Sequence, residues 1–255
     1  IKPGESAQYR ASFPGGSIEG RVALPPPDSR PITFAITADS HLDQNASPAV
    51  YRRTLAAATQ DHPAFLVDLG DTFMGEKHEA FEDSLTQYRI QRYYFGIVGK
   101  DAPIFLALGN HDGEQGWEER RKPGMSQWCA TQRQRHFPPP TLDHWLTGET
   151  EAANYYAFEW GNVQVIVLDP YHPTTQKPAR NSDYWQWTLG HAQVTWLERT
   201  LQASRTPYRF VFIHHLVGGF TKDTRGGASA APYCEWGGAN VDGSAGFAEQ
   251  IGRAH

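Results

Sequence analysis

Three stretches decide the fold: Ile32-Thr33-Phe34-Ala35-Ile36-Thr37-Ala38 running into Asp39-Ser40-His41, Phe65-Leu66-Val67-Asp68-Leu69 running into Gly70-Asp71, and Ile104-Phe105-Leu106-Ala107-Leu108 running into Gly109-Asn110-His111-Asp112. Each is an apolar run of strand length that ends in a short polar motif. Parallel strands deliver the residues just past their carboxyl ends to one crevice, so motifs far apart in sequence meet there. The separations between them each fit a strand, a crossover helix and a returning strand. One metal site at the strand ends is the expectation.

Working outward, Ser47-Pro48 supplies a helix cap and a first-turn proline ahead of good helix formers at 51–60. A longer amphipathic stretch over 78–98 carries Phe81, Leu85, Tyr88, Ile90 and Tyr94 into the third strand. Residues 113–153 form a long polar and aromatic insertion, read as a lid or rim. Two β runs around Gly161-Asn162 predict a hairpin. Val194, Leu197 and Leu201 predict a helix over 191–203, and the apolar run 208–213 predicts a strand ending at His214-His215. Residues 1–30 read differently: scattered apolar residues among Gly and Ser, then Pro25-Pro26-Pro27, suit a small β remnant and a stiff linker before a catalytic unit over 31–255.

Composition excludes several classes. With 39% hydrophobic residues over 255 positions, the chain has material for a large α/β core and is no candidate for disorder. The net charge of −5 and the short, mixed basic clusters at 120–122 and 133–135 disfavour extended nucleic acid as a ligand. No apolar run reaches the roughly 18 residues of a membrane span. Residue 1 is Ile, which implies that residues preceding it have been removed or are not included. Cys129 and Cys234 lie in loop-like stretches and pair if the protein is exported; spacing alone leaves free thiols as the equal alternative.

The motifs carry ligand chemistry. Asp39 and His41 are two apart, which in an extended segment puts a hard oxygen and a borderline nitrogen on one side. Asp71 follows a glycine, and its two carboxylate oxygens suit a bridge between cations. Asn110 offers a neutral amide oxygen. His111 is read as facing the substrate, with Asp112 orienting its ring and favouring the protonated form. Taken singly, Asp and Asn at such places merely cap turns. Four motifs in order at strand ends outweigh that reading, whereas His136, His144 and His172 are read as surface or rim residues.

With Asp39-x-His41, Gly70-Asp71, Gly109-Asn110-His111-Asp112 and a strand-terminal His214 in this order, the chain resembles the calcineurin-like metallophosphoesterases, a superfamily that includes purple acid phosphatases and cyclic-nucleotide phosphodiesterases. The resemblance covers residues 32–215, including the hairpin and the Gln193-x-x-Trp196-Leu197 helix. It implies an α/β (α+β) fold of four layers, a β-sandwich flanked by helices. It also implies two metal ions (Fe, Mn or Zn), with Asp39 and His41 on the first, Asp71 bridging, and Asn110 and His214 on the second. By the same resemblance a two-metal-activated hydroxide attacks a small-molecule phosphomonoester or phosphodiester, while His111 and Asp112 act as the catalytic pair.

Two positions depart from the family pattern. Met74 stands where purple acid phosphatases place a metal-binding Tyr, and the family's late Gly-His-x-His finds no match after His215. The reading is of a chain truncated before its final strands, against an intact chain with an altered site. A binding or structural module of the same fold, and more remotely a nuclease, are the competing functions. The proline linker behind a β remnant resembles the arrangement of exported relatives, so an extracytoplasmic location is expected.

Overall fold

A computed structural model of the chain describes residues 1–27, 30–43, 45–138, 154–177 and 188–215, together with short strand segments at 146–147, 220–221 and 224–225. Strands β1 (Ser6–Phe13) and β2 (Gly16–Ala23) form an antiparallel hairpin. It docks on the body where the Tyr9 hydroxyl and the Arg21 N–H both donate to the Lys100 carbonyl, at 3.0 and 2.9 Å. Residue 20 has to be glycine for that approach, since a Cβ there would lie 2.0 Å from the same carbonyl oxygen.

Strands β3 (Ala35–Thr37), β4 (Leu66–Asp68) and β5 (Ile104–Leu106) pair in parallel in that order. Helices α1 (Pro48–Gln60) and α2 (Leu85–Gly99) make the crossovers. α1 starts as its sequence predicts, with Pro48 in the first turn and the Ser47 hydroxyl accepting from Val50 N–H at 3.4 Å. The amphipathic stretch before β5 is instead broken: 3₁₀ turns at Gly75–Lys77 and Phe81–Ser84 precede α2.

The second sheet runs β6 (Leu146–Thr147), β7 (Tyr156–Trp160), β8 (Val163–Val167), β9 (Tyr208–Phe212). β7 and β8 turn on the two residues Gly161 and Asn162, with Gly161 at φ 61°, as the hairpin signal requires. β8 and β9 are parallel and are joined through α4 (Gly190–Ala203).

Alternation along the strands sorts the side chains into layers. Phe65, Val67, Phe105 and Ala107 from the first sheet meet Phe158, Trp160, Val163, Val165, Val167 and Phe212 from the second, forming the interior of a sandwich. Leu66 and Leu106 point the other way, onto Leu55, Tyr88, Phe95 and Val98 of α1 and α2. On the far side Ala157, Ile166 and Leu168 pack beneath Trp196, Leu197 and Leu201 of α4. The order is thus helices, sheet, sheet, helix, the four-layer α/β arrangement.

Residues 113–138 depart from the lid expectation. They hold a 3₁₀ turn at Gly116–Glu118 and helix α3 (Met125–His136), which packs into the body through buried Met125, Cys129, Ala130 and Arg133. The apolar periodicity of α3 is weak because Arg133 occupies a core position, held by Glu114 at 2.7 and 2.9 Å. A buried ion pair replaces the leucine that a pattern would register. Cys129 likewise sits on a helix and not in a loop; Cys234 lies outside the described residues. Among the described residues no helix is long and apolar enough to cross a membrane.

Two outcomes are expected. Phe158 is 1% exposed, with Phe105 3.9 Å away between ring centroids, so Phe158→Ala should lower unfolding free energy by about 3–5 kcal/mol in urea titration. Burial and the nearby Glu114 charge push the Cys129 thiol up to about 12. Iodoacetamide at pH 8 should therefore leave Cys129 unmodified in the native chain and alkylate it in urea, as read by peptide mass mapping.

Candidate metal centre

The site is built where the first sheet stops. Past β3 and β4 the ladder continues through two hydrogen bonds, Asp39 N–H to the Gly70 carbonyl at 2.9 Å and His41 N–H to the Asp71 carbonyl at 3.1 Å. These bonds run between two loops and not between strands. Asp39, His41, Leu42 and Asp71 adopt left-handed conformations, with φ between 50° and 55°. The extended geometry expected for Asp39-Ser40-His41 is therefore corrected: a left-handed turn, and not strand alternation, brings the two side chains together. Non-glycine residues in this region cost of order 1 kcal/mol or more each and persist only where surrounding contacts hold them. Gln87 and Gln91 of α2 supply those contacts. The Gln91 amide donates to the Ser40 hydroxyl at 2.6 Å and the Thr72 carbonyl at 2.9 Å, and the Gln87 amide donates to the His41 carbonyl.

Asp39, His41 and Asp71 each present one donor atom, all within 4.8 Å of one another. His41 Nε2 is 3.6 Å from Asp39 Oδ1 and 3.4 Å from Asp71 Oδ2. His214 Nε2 lies 3.7 Å from that same Asp71 oxygen and 3.3 Å from Asn110 Oδ1. The five expected ligands are thus together, grouped as Asp39 with His41 and Asn110 with His214 about Asp71. Donor atoms about 2.0–2.2 Å from a common cation are about 3–3.5 Å apart, which is the scale of these separations. Carboxylate, amide oxygen and imidazole suit Zn, Mn or Fe. His214 is also pre-oriented: its Nδ1–H donates to the Leu69 carbonyl at 2.9 Å, which aims Nε2 at Asp71 and Asn110. Between the two adjacent histidines, His214 faces the site, while His215 is buried and pushed down to about 4 by burial and the neighbouring imidazole.

Asp112 is where the reading needs correction. Its side chain is fully buried and does not orient His111. Oδ1 accepts from Thr72 and Phe73 N–H at 2.7 Å each; Oδ2 accepts from Asp71 N–H at 3.1 Å and Gly109 N–H at 2.7 Å. Adjacent side chains at a tight turn diverge, so Asp112 turns inward to clamp two loops while His111 turns out. Burial and the Asp71 charge push the Asp112 carboxyl up, and the N–H donors oppose this.

His111 takes its partner from elsewhere. Its Nδ1 is hydrogen-bonded to the Glu76 carboxylate, and its ring lies 6.1 Å from that of His41. Burial raises the Glu76 carboxyl, but the hydrogen bond and charge of His111, joined by Lys77, outweigh burial and hold it at about 2. Nothing in the sequence marks Glu76 beyond an acid in the turn after Gly70-Asp71. Asp68 is also absent from the reading because it lies inside the strand run. It accepts from the hydroxyls of Thr37 at 2.8 Å and Thr72 at 2.5 Å, and burial pushes it up to about 6. Tyr171, buried against both His214 and His215 at 5.8 and 6.1 Å between ring centroids, closes the far wall.

The comparisons accord with this geometry. The chain's fold is similar to that of a purple acid phosphatase from the seeds of yellow lupin (Lupinus luteus), with a TM-score of 0.58 at 15% identity over 86% of this chain and 38% of that one. The chain therefore spans well under half of that protein's length. No curated protein matches it in sequence. The family model for calcineurin-like phosphoesterases matches residues 32–241, which takes in both sheets and every candidate ligand, and the chain belongs to that family.

Proposed function

We propose that the chain is a metal-dependent hydrolase of small-molecule phosphomonoesters or phosphodiesters. The observation that carries the reading is the meeting of Asp39, His41 and Asp71 donor atoms within 4.8 Å, with His214 Nε2 3.7 Å from the same Asp71 oxygen and 3.3 Å from Asn110 Oδ1. That grouping favours two cations, Asp39 and His41 holding one, Asn110 and His214 the other, and Asp71 shared. Divalent cations bound there supply charge neutralisation at phosphate oxygens and a water acidified toward neutral pH. The chain's residues do the rest. Asp112 keeps the ligand loops in register through their backbone, so the donors are in place before substrate arrives. His111, tethered at Nδ1, has Nε2 available to donate a proton to the leaving oxygen. The net charge of −5 favours small phosphoesters over nucleic acid strands.

The deciding experiment assays para-nitrophenyl phosphate, bis(para-nitrophenyl) phosphate and single-stranded DNA in parallel, after EDTA treatment and after reloading with Mn²⁺, Zn²⁺ or Fe²⁺. Hydrolysis of a nitrophenyl ester that EDTA abolishes and one of these ions restores is expected. Cleavage of DNA alone would replace the substrate class, and no turnover in a chain that binds metal would favour a binding module. Within an active enzyme, Asp71→Asn should lose bound metal and turnover together. His111→Ala should lower kcat about 10²-fold to 10⁴-fold with metal content unchanged by elemental analysis.

A further inference from the structure

We infer that Glu76 is the positioning residue for His111, holding its Nδ1–H and fixing where Nε2 points. This assignment rests on the phosphoesterase reading above only for the consequence on turnover, not for the geometry. Glu76 is placed by an approach of two loops that tolerates no side chain between them. A Cβ on Gly75 would lie 2.8 Å from Cys129 Sγ and 3.1 Å from the Asp112 carbonyl oxygen. One on Gly113, itself at φ 90°, would lie 2.5 Å from the same sulfur and 3.2 Å from Gly75 Cα. Gly75, Gly113 and the buried Cys129 thus bring the 74–76 turn onto the 111–113 turn.

Residues 76 and 111 are then joined twice. The Glu76 N–H donates to the His111 carbonyl at 3.4 Å, and the Glu76 carboxylate takes the His111 ring at Nδ1. Lys122 Nζ donates to the Glu76 carbonyl at 2.8 Å, so backbone contacts hold the turn independently of the carboxylate. The carboxylate itself is 9% exposed and lies between His111 and two cations, Lys77 at 3.3 Å and Arg121 at 3.6 Å. An ionised carboxylate only accepts hydrogen bonds, so it keeps a proton on Nδ1; the proton given to the leaving oxygen is a second one, on Nε2 of the cationic ring. The carboxylate also holds the ring plane, which leaves Nε2 directed away from Glu76. Asp112, the sequence neighbour, is unavailable for this because both its oxygens are engaged by backbone N–H groups.

The test compares Glu76→Ala and the near-isosteric Glu76→Gln with the parent chain, each loaded with the restoring metal. Nitrogen-15 correlation spectra of the His111 ring should show the proton on Nδ1 in the parent and in Glu76→Gln, whose amide oxygen still accepts, and a mixed population in Glu76→Ala. In turnover, Glu76→Ala should cost about 10²-fold in kcat on ethyl phosphate, where the leaving oxygen needs a proton, and under about tenfold on para-nitrophenyl phosphate. KM should change by less than about threefold, metal content should hold, and Glu76→Gln should recover most of the loss. Dimethyl and bis(para-nitrophenyl) phosphate serve in the same way for a diesterase. An unchanged ring spectrum in Glu76→Ala overturns the assignment, as does a loss equal on both leaving groups or one that follows metal content. Inactivity of the parent on every ester, with the spectral change present, instead overturns the hydrolase reading and leaves Glu76 as the group that fixes the ring.

Discussion

The Asp112 carboxylate accepts four backbone N–H bonds, from Asp71, Thr72 and Phe73 on one loop and Gly109 on the other. A fully buried charge in a protein interior costs several kcal/mol unless its acceptor positions are filled. Here four donors fill them, and charge-assisted bonds are about twice as strong as neutral ones. The two loops can therefore approach until their backbones touch. A Cβ on Gly70 would lie 2.3 Å from Gly109 N, and one on Gly109 would lie 2.2 Å from Asp71 N. The glycines in Gly70-Asp71 and Gly109-Asn110 are there for this contact. The carboxylate between them, together with the His111 N–H that donates to Asp71 Oδ1 at 2.9 Å, keeps the two loops in register and brings Asp71 and Asn110 to one site.

The sheets below make that clamp rigid. The first sheet's strands are only three residues long, yet both faces of β4 and β5 are covered, by the sandwich interior on one side and α1 and α2 on the other. Phe73, just after the candidate ligand Asp71, stacks on Tyr88 of α2 at 4.2 Å between centroids, so the loop is anchored in the helical layer as well as by Asp112. Left-handed backbone at Asp39, His41 and Asp71 is tolerable in such surroundings because the Gln87 and Gln91 amides and the loop-to-loop ladder over-determine it. Strain of this kind preorganises donors, which is how a static scaffold lowers the reorganisation needed when charge develops.

Much of this was legible in the residues. The strand runs, the crossover helix behind Ser47-Pro48, the Gly161-Asn162 hairpin and the order of the ligand motifs all follow from local pattern, because each depends on near neighbours. The missed features depend on distant ones. Glu76 reaches His111 across an approach set by Gly75, Gly113 and Cys129, and no spacing encodes that. α3 hides its buried face behind Arg133, whose partner Glu114 lies in a different element. The left-handed turn at Asp39 is invisible for the same reason: aspartate and histidine tolerate that region better than most residues but do not require it, and amides from α2 hold it in place.

The carboxylates near the strand ends divide by what meets their oxygens. Asp68 and Asp112 are buried and surrounded by hydroxyl or backbone donors at 3.3 Å or less, which marks them as structural. Asp71 is different. Its Oδ1 accepts from His111 N–H at 2.9 Å, but its Oδ2 faces two imidazole nitrogens at 3.4 and 3.7 Å, too far for good hydrogen bonds. One of those imidazoles, His214, is turned there by the hydrogen bond its Nδ1–H donates to Leu69. Asp39 adds a second carboxylate to the group. A cation among these atoms would be ligated by them, so the spacing that is poor for hydrogen bonding suits a metal. The candidate metal-binding aspartate is recognised less by its burial than by the mismatch between its neighbours and any hydrogen-bonding need.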